Sequence, residues 1–174
     1  MHRSHLEHIV RAAAAISGAT EIIVIGSQAL LAQFPDAPPD LLVSIEADVF
    51  TLRSPSDAEL IDGSIGEGSP FHQTFGYYVH GVSENTAVLP THWKTRLVPI
   101  QNENTGGATA LCLEIHDLAV SKLVAGREKD LQFVAGLLRH RFVETETLRH
   151  RLNETSIDKD LRALCEGRLL RLST

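Results

Sequence analysis

Apolar residues at the start of the chain recur with a helical period: Leu6, Ile9, Val10, Ala13 and Ile16 share one face. Ser4 and Glu7 have capping-box spacing and Gly18 supplies a stop, so the pattern predicts a helix between them. The period then shortens. Residues 21–25, EIIVI, read as a strand that breaks at Gly26-Ser27, and a short helix is expected from Ser27 to about Gln33. Three prolines within 34–40 exclude regular structure there, and LLVSIEADVFTL (41–52) reads as one long strand. Ser56 and Glu59 repeat the capping-box spacing ahead of a short helix stopping near Gly63.

The glycine-rich stretch 63–71 reads as a loop, and TFGYYVHGV (74–82) as a strand of aromatic and β-branched residues. Shorter strands are expected at 96–100 and 109–114. From Asp117 onward the spacing is helical, with helices predicted near 117–125, 128–139, 144–152 and 157–171. The pattern as a whole predicts an α+β fold, a small mixed β-sheet flanked by helices and followed by a C-terminal helical tail. The expected division is a core over 1–115 and a helical segment over 116–174 packed on it.

Composition narrows the class. With 174 residues, 43% apolar and 22% charged, the chain has the make-up of a globular protein with a proper core. The formal net charge is −6, which argues against broad adhesion to nucleic acid. That charge is uneven: residues 1–121 hold 5 Lys/Arg against 14 Asp/Glu, whereas 122–174 hold 11 against 8. Cys112 and Cys165 are far apart and lack metal-ligand spacing, so a reduced setting is expected. No signal pattern and no membrane-length apolar run is present in the sequence, and a cytoplasmic protein with no membrane partner is expected.

Two short patterns carry candidate chemistry. Gly26 and Ser27 form a strand-to-helix corner, which turns the chain and also exposes N–H groups suited to phosphate. Glu46 and Asp48 stand two apart on a predicted strand, so alternation places both on one face with Ile45, Ala47 and Val49 on the other. Adjacent carboxylates repel unless a cation lies between them, and Mg²⁺ characteristically takes one or two carboxylates plus substrate phosphates. His2, His5 and His8 recur every three residues without flanking acids, which is a weak metal signal. The Arg-His pairs at 139–140 and 149–150 read as a solvated face, and Trp93 as a core or interface aromatic.

In this order, strand, Gly26-Ser27 corner, helix, loop and a strand bearing Glu46-x-Asp48, the chain resembles the nucleotidyltransferase superfamily with a polymerase-β-like fold. The later segment HDLAVSKLVAGREKDLQFV (116–134) is similar to one in the bacterial abortive-infection and toxin–antitoxin branch. The resemblance implies that Gly26 and Ser27 hold nucleotide phosphates and that Glu46 and Asp48 hold Mg²⁺. Lys122, Arg127 and Lys129 are then expected to contact nucleotide or acceptor, Lys122 and Lys129 from the cleft side. The implied reaction moves NMP from an NTP to a hydroxyl on a tRNA end, a protein side chain or a small molecule. The sequence departs from the pattern in using Glu46 where Asp is more usual, and in lacking an evident third carboxylate. His80 stands where that acid is sought, with Glu84, Asp62 and Glu67 nearby in sequence. His80 could act as the base, or the protein could be a catalytically inactive, antitoxin-like regulatory binding partner.

Overall fold

The computed structural model describes residues 1–173 and is α+β, with a five-stranded mixed sheet and surrounding helices. Its contacts divide the chain into two compact units, Met1–Thr86 with Leu97–Leu113, and Ala87–Arg96 with Glu114–Thr174. Among the described residues no helix is long and apolar enough to cross a membrane.

The first unit contains the sheet. Helix α1 (Arg3–Ser17) buries Leu6, Ile9, Val10 and Ala13, and Gly18 ends it at φ +69° with its N–H on Ala14 O. Its N-cap is His2, not Ser4. Glu7 is instead buried, receiving bonds from Arg3, Asn102 and Asn104. Strand β1 (Glu21–Val24) is central, with β2 (Glu46–Phe50) antiparallel on one side, and Ile22, Ile23 and Val24 are buried. Helices α2 (Ser56–Ile65) and α3 (Pro70–Phe75) precede β3 (Tyr78–Gly81), which runs parallel to β2. Strands β4 (Val98–Ile100) and β5 (Thr109–Cys112) complete the order β3-β2-β1-β5-β4, with β5 parallel to β1.

The Ser56/Glu59 capping box does not form, since α2 has Pro55 at its N-cap and no side-chain cap, and other predicted elements also come out differently. The long strand expected over 41–52 forms only at 46–50, because Ser44 Oγ accepts the Glu46 N–H at 3.1 Å and curls the chain before it. The loop expected at 63–71 is mostly helix: α2 runs to Ile65, and α3 starts at Pro70 with Ser69 as its N-cap. Gly76, at φ +75°, closes α3, so the strand expected from Thr74 begins at Tyr78.

The second unit is helical. In α4 (Ile115–Ala125), Ile115, Leu118, Ala119, Val120 and Leu123 are buried, and the helix packs against α5 (Glu128–Arg139), α6 (Thr145–Asn153) and α7 (Lys159–Leu172). Gly126, at φ +65°, ends α4, and the Arg168 guanidinium donates to Leu123 O and Val124 O in the helix's last turn. The segment 87–96 is tied to the same helices by a Pro90–Thr155 bridge and by Thr91 N–H on Glu154 O. Its last residue, Arg96, binds the fully buried Asp117 through two nitrogens at 2.8 and 3.0 Å.

Candidate functional site

Strand β2 delivers the two acids as alternation requires. Ala47 and Val49 are buried in the core, while Glu46 and Asp48 are half-exposed on the opposite face. Asp48 also fixes the height of the corner beside it, because its carbonyl accepts the Ile25 N–H at 3.1 Å. At that corner Gly26 is extended (φ −81°, ψ −175°) and serves as N-cap of a six-residue 3₁₀ helix, Ser27–Ala32. No side chain caps this helix. Ala29 N–H returns to Gly26 O instead.

The glycine is required for a reason that local turn geometry does not supply. A Cβ at Gly26 would collide with the Asp48 carboxylate, so the missing side chain is the space in which Asp48 sits. Corner and acid are thus one arrangement. Ser27, the next residue, is half-buried at the mouth of the 3₁₀ helix.

Strand β3 supplies the remaining groups. Its parallel register sets Tyr78 opposite Glu46 and His80 opposite Asp48. His80 Nδ1 lies 3.2 Å from Asp48 Oδ1, with the imidazole more than half exposed. The Tyr78 hydroxyl donates to Glu46 Oε2 at 3.1 Å. Burial, then the Glu46 bond and the negative charges of Glu46, Glu67 and Asp48, push the Tyr78 phenol up to about 12, so it remains a donor at neutral pH. Tyr78 was missed as a site residue from sequence alone. The available signal was its two-residue offset from His80, which puts both on one strand face.

Of the other acids near His80 in sequence, Asp62 accepts the Gly81 N–H at 2.8 Å and anchors the end of β3 to α2. Glu67 acts on Tyr78 through its charge. Among the described residues, no group of three or more His, Cys, Asp or Glu is placed to hold a metal ion. The donor set at the corner is two carboxylate oxygens carriers, Glu46 and Asp48, side by side. Two neighbouring carboxylates are a donor set of the kind a hard divalent cation takes when phosphate oxygens and water complete its shell.

Lys122, Arg127 and Lys129 belong to the second unit. The anionic partner of Lys122 there is Asp130, at 3.1 Å, and Arg127 binds the same carboxylate at 2.6 Å. Burial works to raise the Asp130 carboxyl, but bonds and charge from Arg127 and Lys122 outweigh it and hold the group below the usual carboxylate range. Lys129 is exposed. The histidines of α1 also have partners: His5 stacks on Tyr77 at 4.5 Å, and His8 Nδ1 is 2.8 Å from the Tyr77 hydroxyl. Trp93 is half-exposed with Lys94 Nζ 5.4 Å from its ring.

A family model described as "Nucleotidyltransferase of unknown function (DUF6036)" matches residues 4–164. No curated protein and no solved structure matches the chain.

Proposed function

We propose, for a chain that belongs to this nucleotidyltransferase family, an enzyme that transfers NMP from an NTP to a hydroxyl acceptor and releases pyrophosphate. The observation that carries the proposal is the Asp48 carboxylate seated in the space left by Gly26, with Glu46 beside it on β2. It supports the reading because acids suited to a metal and a turn suited to phosphate are tied together by one backbone bond, Ile25 N–H to Asp48 O.

Glu46 and Asp48 would hold Mg²⁺, which supplies charge neutralisation at the α-phosphate when bound. Gly26 and Ser27 are assigned to the β- and γ-phosphates, with the half-buried Ser27 offering its hydroxyl and N–H to them. His80 is assigned the proton. A carboxylate only accepts, so the contact with Asp48 puts a proton on His80 Nδ1, and Nε2 is the atom that would take the acceptor's proton in the neutral ring. Lys122, Arg127 and Lys129 are assigned to nucleotide or acceptor. The Asp130 pairing of the first two gives them a structural role as well. The acceptor is a hydroxyl on RNA, protein or a small molecule, and the bacterial toxin–antitoxin setting, in the cytoplasm, belongs to the same proposal.

A second reading, a catalytically silent binding partner with this fold, is favoured by His80 standing opposite Asp48 where active members carry an acid. Thermal unfolding with each NTP, with and without Mg²⁺, tests both. Ligand at about a hundred times Kd stabilises the native state by about 2.7 kcal/mol. The proposal expects a Mg²⁺-dependent rise in Tm for at least one NTP, together with pyrophosphate release. A rise without pyrophosphate release in the presence of RNA and protein acceptors supports the silent reading, and no rise with any NTP defeats the transferase proposal and favours the silent one.

A further inference from the structure

Glu46 is longer than the aspartate more usual at its position, and the extra rotatable bond leaves its carboxylate free to take several orientations. The structure contains a device that removes this freedom. Tyr78 faces Glu46 across the β2–β3 pair and donates to Oε2 at 3.1 Å, which leaves Oε1 to point elsewhere. The tyrosine is itself held. The His72 ring packs against it at 4.6 Å, and His72 Nδ1 accepts the Gly68 N–H at 3.0 Å, which fixes the ring and puts its proton on Nε2. His72 in turn is set by the Ser69 cap of α3, which accepts the His72 N–H at 3.1 Å. The chain of support runs from the glycine loop through His72 and Tyr78 to one carboxylate oxygen.

We propose that Tyr78 is a positioning residue that orients the Glu46 carboxylate towards a divalent cation. The inference rests on the reading of Glu46 as a cation ligand. Carboxylates that bind metals are themselves hydrogen-bonded, and losing such an outer partner weakens metal binding about 10–100-fold. Tyr78→Phe removes only the hydroxyl and retains the ring against His72.

The test is a double-mutant cycle read by Mn²⁺ titration, followed by electron paramagnetic resonance of the free ion. Tyr78→Phe is expected to weaken Mn²⁺ binding about 10–100-fold in the wild-type background. Glu46→Asp is one methylene shorter and draws the carboxylate away from Tyr78, so the same tyrosine change should have no further effect there. A loss of equal size in both backgrounds would mean that Tyr78 only supports β3, and would overturn the inference. Wild-type affinity in Tyr78→Phe would overturn it too while leaving the cation reading intact. An absence of Mn²⁺ binding by the wild-type protein would overturn the cation reading, and this inference with it. Should Tyr78→Phe fold poorly, Tyr78→His keeps a donor of different reach: it should bind Mn²⁺ more weakly than wild type only where Glu46 is present, and wild-type affinity or an equal loss beside Glu46→Asp would overturn the inference.

Discussion

Replacing Gly26 with alanine separates the chemistry of the corner from its fold. The backbone there, φ −81° and ψ −175°, is open to any residue, so the added methyl brings no torsional strain. It brings a collision, lying 2.9 Å from Asp48 Cγ and 3.1 Å from Asp48 Cβ besides overlapping Oδ2. Rotation about χ1 clears the carboxylate but leaves Cβ, so the strand must also give by a few tenths of an ångström. Overpacking of this kind costs about 1–3 kcal/mol. The lost flexibility of the unfolded chain returns about 0.4–1 kcal/mol. The net loss of about 1–2 kcal/mol corresponds to a Tm lower by about 2–8 °C for a domain of this size. Binding should suffer much more, because the relaxed position of Asp48 is no longer beside the corner. Thermal unfolding with Mg²⁺ and NTP should therefore show a slightly lower baseline Tm and no ligand-dependent rise. A variant with an intact Mg²⁺-dependent rise would refute the reasoning that corner and acid are one arrangement.

Asp48→Asn should abolish Mg²⁺-dependent NTP binding at little cost to stability, since it relieves repulsion with Glu46; calorimetric titration alongside urea unfolding reads both. Breaking the buried Asp130 cluster by Lys122→Met should lower stability by about 1–3 kcal/mol, because a carboxylate 1% exposed loses part of its compensation. Asp130 titrates below its unfolded value, so its contribution is complete above the unfolded carboxylate pKa of about 3.9 and is lost as pH falls below it. Urea midpoints of wild type and Asp130→Asn should accordingly converge on acidification. Arg96→Ala should cost about 3–5 kcal/mol by leaving Asp117 buried against fewer cations. Burial already pushes the Asp117 carboxyl above its ordinary value, so this loss should be greatest near neutral pH and shrink as Asp117 takes up a proton in acid.

The corner and the acid pair were legible in the sequence because both follow from local rules. A glycine turn ends a strand, and alternation sets Glu46 and Asp48 on one face. That Gly26 makes room for Asp48 was not legible, since it depends on the β1–β2 register and on Ile25 N–H meeting Asp48 O. The overlong strand at 41–52 was a failure of hydrophobic pattern against a single hydroxyl, Ser44, whose bond to Glu46 N–H outcompetes the ladder. Helix α3 was within reach: Ser69, Pro70 and Gly76 stand at N-cap, first turn and C-cap, but the surrounding glycines masked them. The Asp130 partnership of Lys122 was hidden because the two residues lie on different helices, separated by the left-handed turn at Gly126.

The segment 87–96 lies between β3 and β4 in sequence, yet its partners are in the helical unit. The chain therefore enters that unit, leaves it to build β4 and β5, and enters it again. During synthesis Arg96 emerges before its partner Asp117, and Pro90 and Thr91 emerge well before Thr155 and Glu154, the residues they bond. At about 5–20 residues per second that interval of about 60 residues lasts about 3–12 s. For that time the nascent chain carries a segment with nowhere to dock, and the helical unit closes only when its last third arrives. A fragment cut at the apparent boundary near residue 115 would hold this state permanently, with Arg96 and the Pro90 edge stranded without the groups that bury them.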